Sequence, residues 1–178
     1  RSAPDLDVGY DAAGLAAGRE HRDRVTAEQL LADVQAAVDW IQQSHPSLSL
    51  GCVGFCFGGH LAMLAATNPA IAATCDFYGA RVSSFKPGAV EKTTLSVVPE
   101  VAGRLWCFCG DQDPLMPAEE LQAIDRALRS ADTEGSRHRL VVAAGAGHGY
   151  MCQARADFHP EVAASGWNQM LELFAEAL

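Results

Sequence analysis

The sequence lacks the features on which several classes of protein depend. No basic run is longer than Arg22-Asp23-Arg24 and the net charge is −9. Nucleic acids and anionic membranes are therefore poor partners, since both attract clustered lysine and arginine. No apolar stretch approaches the roughly 18 residues that a membrane span needs. Internal repeats, linkers and low-complexity segments are also missing, so we expect one globular domain over residues 1–178.

Metal-binding and disulfide patterns are missing as well. The sequence has no Cys-x-x-Cys motif and no Cys/His cluster with zinc spacing. Four of the six cysteines lie in apolar segments typical of buried strands, where a thiol behaves as a small hydrophobic group: Cys52, Cys75, Cys107 and Cys109. A chain of this length does not need disulfides to fold. We therefore expect reduced thiols, a cytoplasmic location, no metal and no cofactor.

Helix and strand patterns alternate along most of the chain. Residues 1–24 predict a loop with at most one short helix, and a capping box from Thr26 to Gln29 begins an amphipathic helix over 26–43. Four apolar strands are predicted at Leu50–Phe55, Ala72–Tyr78, Leu105–Cys109 and Arg139–Ala143. Helices are predicted over 57–67, Pro117–Ser130 and Pro160–Leu178, with an irregular connection over 79–103. This alternation predicts an α/β fold in three layers around a mostly parallel sheet.

In such sheets the functional side chains lie just beyond the carboxyl ends of the strands. The first predicted strand ends on the segment "GFCFGG" at residues 54–59. The pattern G-x-nucleophile-x-G is typical of a nucleophile elbow, with Cys56 at its centre. The N-terminus of a helix favours an anion and so promotes the thiolate. The alternative is an ordinary strand-to-helix turn with a buried cysteine.

The third and fourth strands also end on polar residues. Asp111 and Asp113 lie in "GDQDP", where either could orient a base or cap the next helix, and His148 lies among small residues in "GAGHGY". Each residue alone could belong to a plain surface loop. Together, nucleophile, acid and histidine come in the chain order of the α/β-hydrolases, each after a separate strand. The sequence therefore predicts a catalytic triad.

These motifs resemble those of the dienelactone hydrolases, a branch of the α/β-hydrolases with a cysteine nucleophile. The terminal stretch "ARADFHPEVAASGWNQMLELF" is also similar to that family, and the resemblance begins at "APDL" over 3–6. It implies an α/β-hydrolase fold of which the N-terminal third, with one oxyanion donor and a glutamate that pairs with the thiol, is missing. The family's G-x-x-D spacing selects Asp113 rather than Asp111.

The resemblance does not extend to the arginines with which the family binds the substrate carboxylate. Those places hold Asp7-Val8-Gly9 and Cys152 here, and Arg155 is the nearest cation downstream. The implied substrate is therefore a small ester or lactone other than dienelactone itself.

The predicted reaction is hydrolysis through a thioester. Cys56 attacks the carbonyl, His148 acts as the base that Asp113 orients, and the backbone N–H of Phe57 stabilises the oxyanion. Three aromatic residues are candidates for the pocket wall, with simple packing as the alternative: Phe55, Tyr78 and Tyr150.

Two other functions stay open from the sequence. In the first, Cys56 is a redox thiol whose sulfenic acid Cys152 resolves. In the second, the chain is a non-catalytic module for binding or dimerisation.

A four-stranded sheet alone would expose an apolar edge strand, so we expect more of the same polypeptide, or another subunit of a homo-oligomer, to cover it.

Overall fold

The computed structural model describes residues 3–89 and 91–178. Two helices come first, α1 (Ala12–Asp23) and α2 (Ala27–Ser44). The strands are β1 (Leu50–Phe55), β2 (Ile71–Phe77), β3 (Arg104–Gly110) and β4 (His138–Ala143). Three further helices are α3 (Phe57–Ala65), α4 (Ala118–Ala131) and α5 (Pro160–Ala177), and a 3₁₀ helix spans Thr94–Glu100.

The four strands form one parallel sheet in the order β1-β2-β3-β4. All four therefore end at the same edge, with Phe55 paired to Phe77, Phe77 to Phe108, and Gly110 to Ala143. β1 and β4 are the outer strands among the described residues. On β1 Val53 is 41% exposed, so this outer strand leaves part of its apolar surface uncovered.

The hydrophobic core lies on both faces of the sheet. On one face, buried side chains of β3 pack with α3, α4 and the 3₁₀ helix, as Leu105, Met63 and Ile124 do. On the other face, Phe77 and Phe108 stack 4.4 Å apart and pack with α5 through Met170 and Leu173. The three-layer α/β fold expected from the sequence is confirmed.

Individual elements agree with the predicted ones to within about two residues. The capping box is present, with the Gln29 N–H donating to the Thr26 hydroxyl and the Thr26 N–H donating to the Gln29 side chain. The clearest difference is the connection over 79–103, which was expected to be irregular but contains the 3₁₀ helix Thr94–Glu100. That helix includes Pro99 and is too short for a repeating apolar pattern to reveal it.

Over the described parts of the chain, 3–89 and 91–178, no helix has both the length and the hydropathy needed to cross a bilayer. All six cysteines are free thiols. Cys75, Cys107 and Cys109 are buried, Cys52 and Cys152 are half-buried, and Cys56 is exposed.

Candidate active site

Cys56 lies at a sharp turn between β1 and α3. Its backbone has φ 55° and ψ −118°, which is strained for a residue with a side chain. Two hydrogen bonds hold this conformation: the Cys56 N–H donates to the Phe77 carbonyl at 2.9 Å, and the His60 N–H donates to the Cys56 carbonyl at 3.1 Å. The turn leaves the thiol exposed at the N-terminus of α3, as a nucleophile elbow requires.

Close backbone packing at this turn depends on two glycines. A Cβ at Gly54 would lie 1.9 Å from the Gly58 carbonyl oxygen, and one at Gly59 would lie 2.3 Å from Asp76 Oδ1. A Cβ at Gly58 would meet no heavy atom within 4 Å. Gly54 and Gly59 must therefore be glycine for steric reasons, whereas a Cβ at Gly58 would have free space around it.

His60, in the first turn of α3, is buried and uses both ring nitrogens. Nδ1 is 3.1 Å from the Ala80 carbonyl and Nε2 is 2.6 Å from the Thr94 hydroxyl. Burial lowers the pKa of this imidazole. A neutral ring then donates to Ala80 and accepts from Thr94, which anchors the helix behind Cys56 to the connection over 79–103.

Asp113 comes after β3 and is 4% exposed. Its Oδ1 accepts the Leu115 N–H at 2.8 Å, while Oδ2 lies 2.8 Å from His148 Nδ1. Asp111, two residues earlier, is exposed and accepts the Gly145 N–H at 2.7 Å. The structure thus brings Asp113, and not Asp111, against the histidine ring, while Asp111 ties down the start of the histidine loop.

His148 completes a continuous chain of polar contacts. Its Nδ1 faces Asp113, and its Nε2 lies 3.1 Å from Cys56 Sγ. Close backbone packing supports the loop that carries it, because the Gln112 N–H donates to the Ala146 carbonyl at 3.0 Å. All three residues predicted from the sequence therefore meet at the carboxyl edge of the sheet.

The charges at this site favour an ion pair between sulfur and imidazole. Burial lowers the pKa of His148, but hydrogen bonds to Asp113 and Cys56 outweigh it and raise that pKa to about 9. Cys56 has an exposed surface, but the protein around its sulfur removes part of its contact with water and so raises the thiol pKa. The His148 hydrogen bond and charge, the Phe57 backbone N–H and the Arg155 charge together outweigh this and leave the pKa below its ordinary value. Both shifts act in the direction of a Cys56 thiolate beside a protonated His148.

The three aromatic candidates surround the site in different ways. Tyr78 stands edge-on to His148, with ring centroids 5.3 Å apart. Tyr150 is 1% exposed and lies behind Tyr78 at 5.2 Å, so it supports that ring from the core. Phe55 stacks on Phe77 at 5.1 Å. Contact of any of the three with a substrate stays a prediction.

Sequence reasoning missed Asp76, which lies at the end of β2 next to the elbow. The carboxyl is 2% exposed, and its Oδ1 accepts the Gly79 N–H at 2.8 Å. Burial, the largest influence, raises its pKa to about 7. An acidic residue inside the apolar segment Ala72–Tyr78 was the signal that could have revealed it, since such strands rarely bury a carboxylate.

A surface cavity lies elsewhere on the molecule, and the part of the chain that the structure describes contains no metal-binding cluster. Among residues 3–89 and 91–178, no group of three or more His, Cys, Asp or Glu side chains could hold a metal ion. A surface cavity of about 390 Å³, lined in part by Ile71, Gly103 and Arg104, lies at the amino ends of the strands, away from Cys56.

Comparisons with known proteins agree with this arrangement. A family model described as "Dienelactone hydrolase family" matches residues 5–178. A Synechocystis protein named "Putative carboxymethylenebutenolidase" is 32% identical over 181 residues, which cover 100% of this chain and 72% of that protein. A Yersinia pestis protein of the same name is 30% identical over 155 residues, covering 86% of this chain and 57% of that protein.

A solved structure from Klebsiella pneumoniae, described as a "Putative Dienelactone Hydrolase", superposes with a TM-score of 0.76 at 28% identity. The match covers 85% of this chain and 62% of that one. The chain thus spans between 57% and 72% of the length of these relatives.

Proposed function

Because the chain belongs to the dienelactone hydrolase family, we propose that it hydrolyses a small ester or lactone through a thioester on Cys56. The observation that carries the proposal is the contact of His148 with both Asp113 and the Cys56 sulfur, at 2.8 and 3.1 Å. The names of the relatives support a lactone as the kind of substrate.

The first half of the reaction acylates the enzyme. The Cys56 thiolate attacks the carbonyl carbon, a C–S bond forms, and the electron pair of the C=O bond moves to oxygen. The Phe57 N–H stabilises this oxyanion; one such donor is worth about 2.7–4 kcal/mol in the barrier. When the oxyanion collapses, the ester C–O bond breaks and protonated His148 gives its Nε2 proton to the leaving alkoxide.

The second half of the reaction releases the acid. His148, now neutral, accepts a proton from a water molecule that attacks the thioester carbonyl. A second tetrahedral intermediate forms, its C–S bond breaks, and the thiolate returns beside the imidazolium. Asp113 accepts the hydrogen bond from Nδ1 throughout, so the same tautomer faces the sulfur in both halves.

Turnover of p-nitrophenyl acetate by the purified protein tests the proposal. We expect Cys56→Ala to reduce kcat/KM by roughly 10⁴-fold or more, because no nucleophile remains. Addition of His148→Ala to Cys56→Ala should cost little further, since residues that act as one unit are not additive. If Cys56→Ala in protein verified by mass keeps the turnover of the wild type, the proposal is wrong.

The two alternatives from the sequence predict other results. A redox protein would form a Cys56–Cys152 disulfide on treatment with peroxide, which peptide mass mapping detects, and would not turn over the ester. A binding module would neither hydrolyse the ester nor form the Cys56–Cys152 disulfide, and the wild type and the Cys56→Ala variant would therefore behave alike.

A further inference from the structure

A row of aromatic rings extends from His148 to the surface of α5. The Tyr78 ring stands 5.3 Å from the His148 ring, measured between centroids. The Phe55 ring lies 6.2 Å from Tyr78 and 5.8 Å from Trp167, which belongs to α5. Aromatic side chains interact over separations of this size, so each ring of the row contacts the next.

The row is buried at the histidine and open at α5. Tyr78 is buried, Phe55 is half-buried and Trp167 is 42% exposed. Phe77 stacks on Phe55 at 5.1 Å and lies 6.4 Å from Trp167, so it supports both rings from the core. Phe55 directly precedes Cys56, whose thiol is exposed. The open part of the row therefore begins beside the candidate nucleophile.

Exposed aliphatic side chains extend this surface on both elements. Val53 lies two residues before Phe55 and therefore on the same face of β1, and Leu171 lies one turn after Trp167 on α5. Both are exposed. Neither β1 nor the stretch 162–171 of α5 contains a charged residue. A surface of this composition binds apolar groups rather than ions.

We propose that Phe55 and Trp167 form a wall that binds an apolar acyl chain of the substrate, with Trp167 as the residue that determines specificity for longer chains. The inference rests on the proposed function and names its substrate class, an ester or lactone with an apolar substituent on the acyl part. In the proposed reaction the leaving alkoxide lies at His148 Nε2 and the oxyanion at the Phe57 N–H. The acyl chain takes the remaining side of the sulfur.

The wall should act on substrate binding rather than on the chemical step. A wall open on one side removes only part of each methylene group from water, so an acyl chain longer by four methylene groups should bind about tenfold more tightly. These contacts are the same before and during the attack on the carbonyl. They should therefore lower KM for the longer chain and leave kcat nearly unchanged.

Two alkylating agents test the wall without any turnover. Iodoacetamide and N-hexyliodoacetamide carry the same reactive group, and in both cases the Cys56 thiolate displaces iodide. The ratio of their rates at Cys56, measured by peptide mass and divided by the ratio for glutathione, cancels the reactivity of the thiol. We expect the wild type to favour the hexyl reagent about tenfold and Trp167→Ala to lose most of this preference. Trp167→Phe keeps an aromatic ring and should retain a larger part of it.

Trp40→Ala is the matched control, because it removes a ring of the same size that is exposed on α2. It should leave the preference of Cys56 unchanged. Turnover of p-nitrophenyl acetate and p-nitrophenyl hexanoate then connects the wall to the proposed reaction. Trp167→Ala should raise KM for the hexanoate about tenfold more than KM for the acetate.

The proposal is overturned if wild-type Cys56 shows no preference for the hexyl reagent. This measurement needs no variant, so it decides the matter even if Trp167→Ala does not fold. A preference that Trp40→Ala reduces as much as Trp167→Ala, or an equal loss of turnover with both esters in Trp167→Ala, would also overturn it. A wild type that prefers the hexyl reagent but hydrolyses neither ester would support the wall as a binding surface and contradict the proposed function.

Discussion

His148 Nε2 lies 3.1 Å from Cys56 Sγ, although the two residues come after β4 and β1, the outer strands of the described sheet. The histidine loop must therefore cross the ends of β3 and β2 to reach the thiol. Gly110 permits that crossing, because a Cβ there would lie 2.1 Å from the Ala146 carbonyl oxygen. The edge-on ring of Tyr78 then supports the imidazole above the end of β2.

The pH dependence of turnover should report the Cys56–His148 pair. Acylation requires the thiolate and the protonated imidazole, so kcat/KM should follow a bell-shaped curve whose alkaline limb lies near the His148 pKa of about 9. Asp113→Asn replaces the carboxylate that raises this pKa, and the alkaline limb should therefore move to lower pH. We also expect kcat/KM at the optimum to fall about 10²-fold. Initial rates between pH 5 and 10.5 measure both effects.

Asp111→Asn is the matched control for this experiment. Asp111 accepts the Gly145 N–H but does not contact the histidine, and an asparagine oxygen can accept the same bond. The alkaline limb of the kcat/KM profile of Asp111→Asn should coincide with that of the wild type. If Asp111→Asn moved the limb and Asp113→Asn did not, the roles assigned to the two acids would have to be exchanged.

The sequence was sufficient to predict the strands and to place the candidate site residues directly beyond their carboxyl ends. Short, mainly apolar runs predicted β1 to β4, and the residues just beyond β1, β3 and β4 are those that meet at the edge of the sheet. Parallel strands end together, so this proximity could be predicted from topology alone. Topology alone does not choose between Asp111 and Asp113, because the choice depends on which side chain the turn after β3 directs at His148; the spacing shared with the family did select Asp113.

Contacts between a side chain and a distant stretch of backbone could not be predicted from the sequence for a similar reason. Nothing in the pattern G-x-C-x-G says that Gly59, rather than Gly58, faces the Asp76 carboxyl. The positions of Arg155 and Asp157 likewise depend on the turns after His148, which have no repeating pattern. Such contacts join residues distant in sequence, and only the folded chain brings them together.

The buried carboxyl of Asp76 should make folding stability depend on pH. Because its folded pKa is about 7, well above the ordinary 3.8, the folded state binds an extra proton between these values. Its contribution is therefore fully present below about pH 4 and is lost as pH rises towards 7. Asp76→Asn mimics the neutral acid and keeps an acceptor for the Gly79 N–H. It should be more stable than the wild type at pH 8, by about 4 kcal/mol at most, and about equal to it at pH 4.

Urea unfolding at several pH values between 4 and 9 measures this difference. Asp39→Asn, an exposed substitution on α2 with the same change in charge, provides the comparison. It should leave the pH dependence of unfolding close to that of the wild type. A constant difference between Asp76→Asn and the wild type across the whole range would mean that the carboxyl stays ionised in the fold.

The two glycines flanking Cys56 should respond oppositely to alanine. Gly54→Ala would place a methyl group 1.9 Å from the Gly58 carbonyl oxygen, a contact between two stretches of backbone that cannot move apart without opening the elbow. We expect a loss of about 3 kcal/mol or more, or failure to fold. Gly58→Ala meets no atom within 4 Å and lies within α3, so it should preserve stability or raise it by up to about 1 kcal/mol through helix propensity.

Thermal or urea unfolding of the two variants provides the measurement, and soluble yield ranks them if Gly54→Ala does not purify. Equal stability of the two would mean that β1 and α3 do not approach as closely as the structure has them. The Gly54–Gly58 contact would then not stabilise the strained backbone of Cys56. Without that contact, nothing in the elbow would fix the Cys56 sulfur 3.1 Å from His148 Nε2. The geometry of the elbow, and with it the orientation of the Cys56 thiol, thus depends on the hydrogen atom that Gly54 has in place of a side chain.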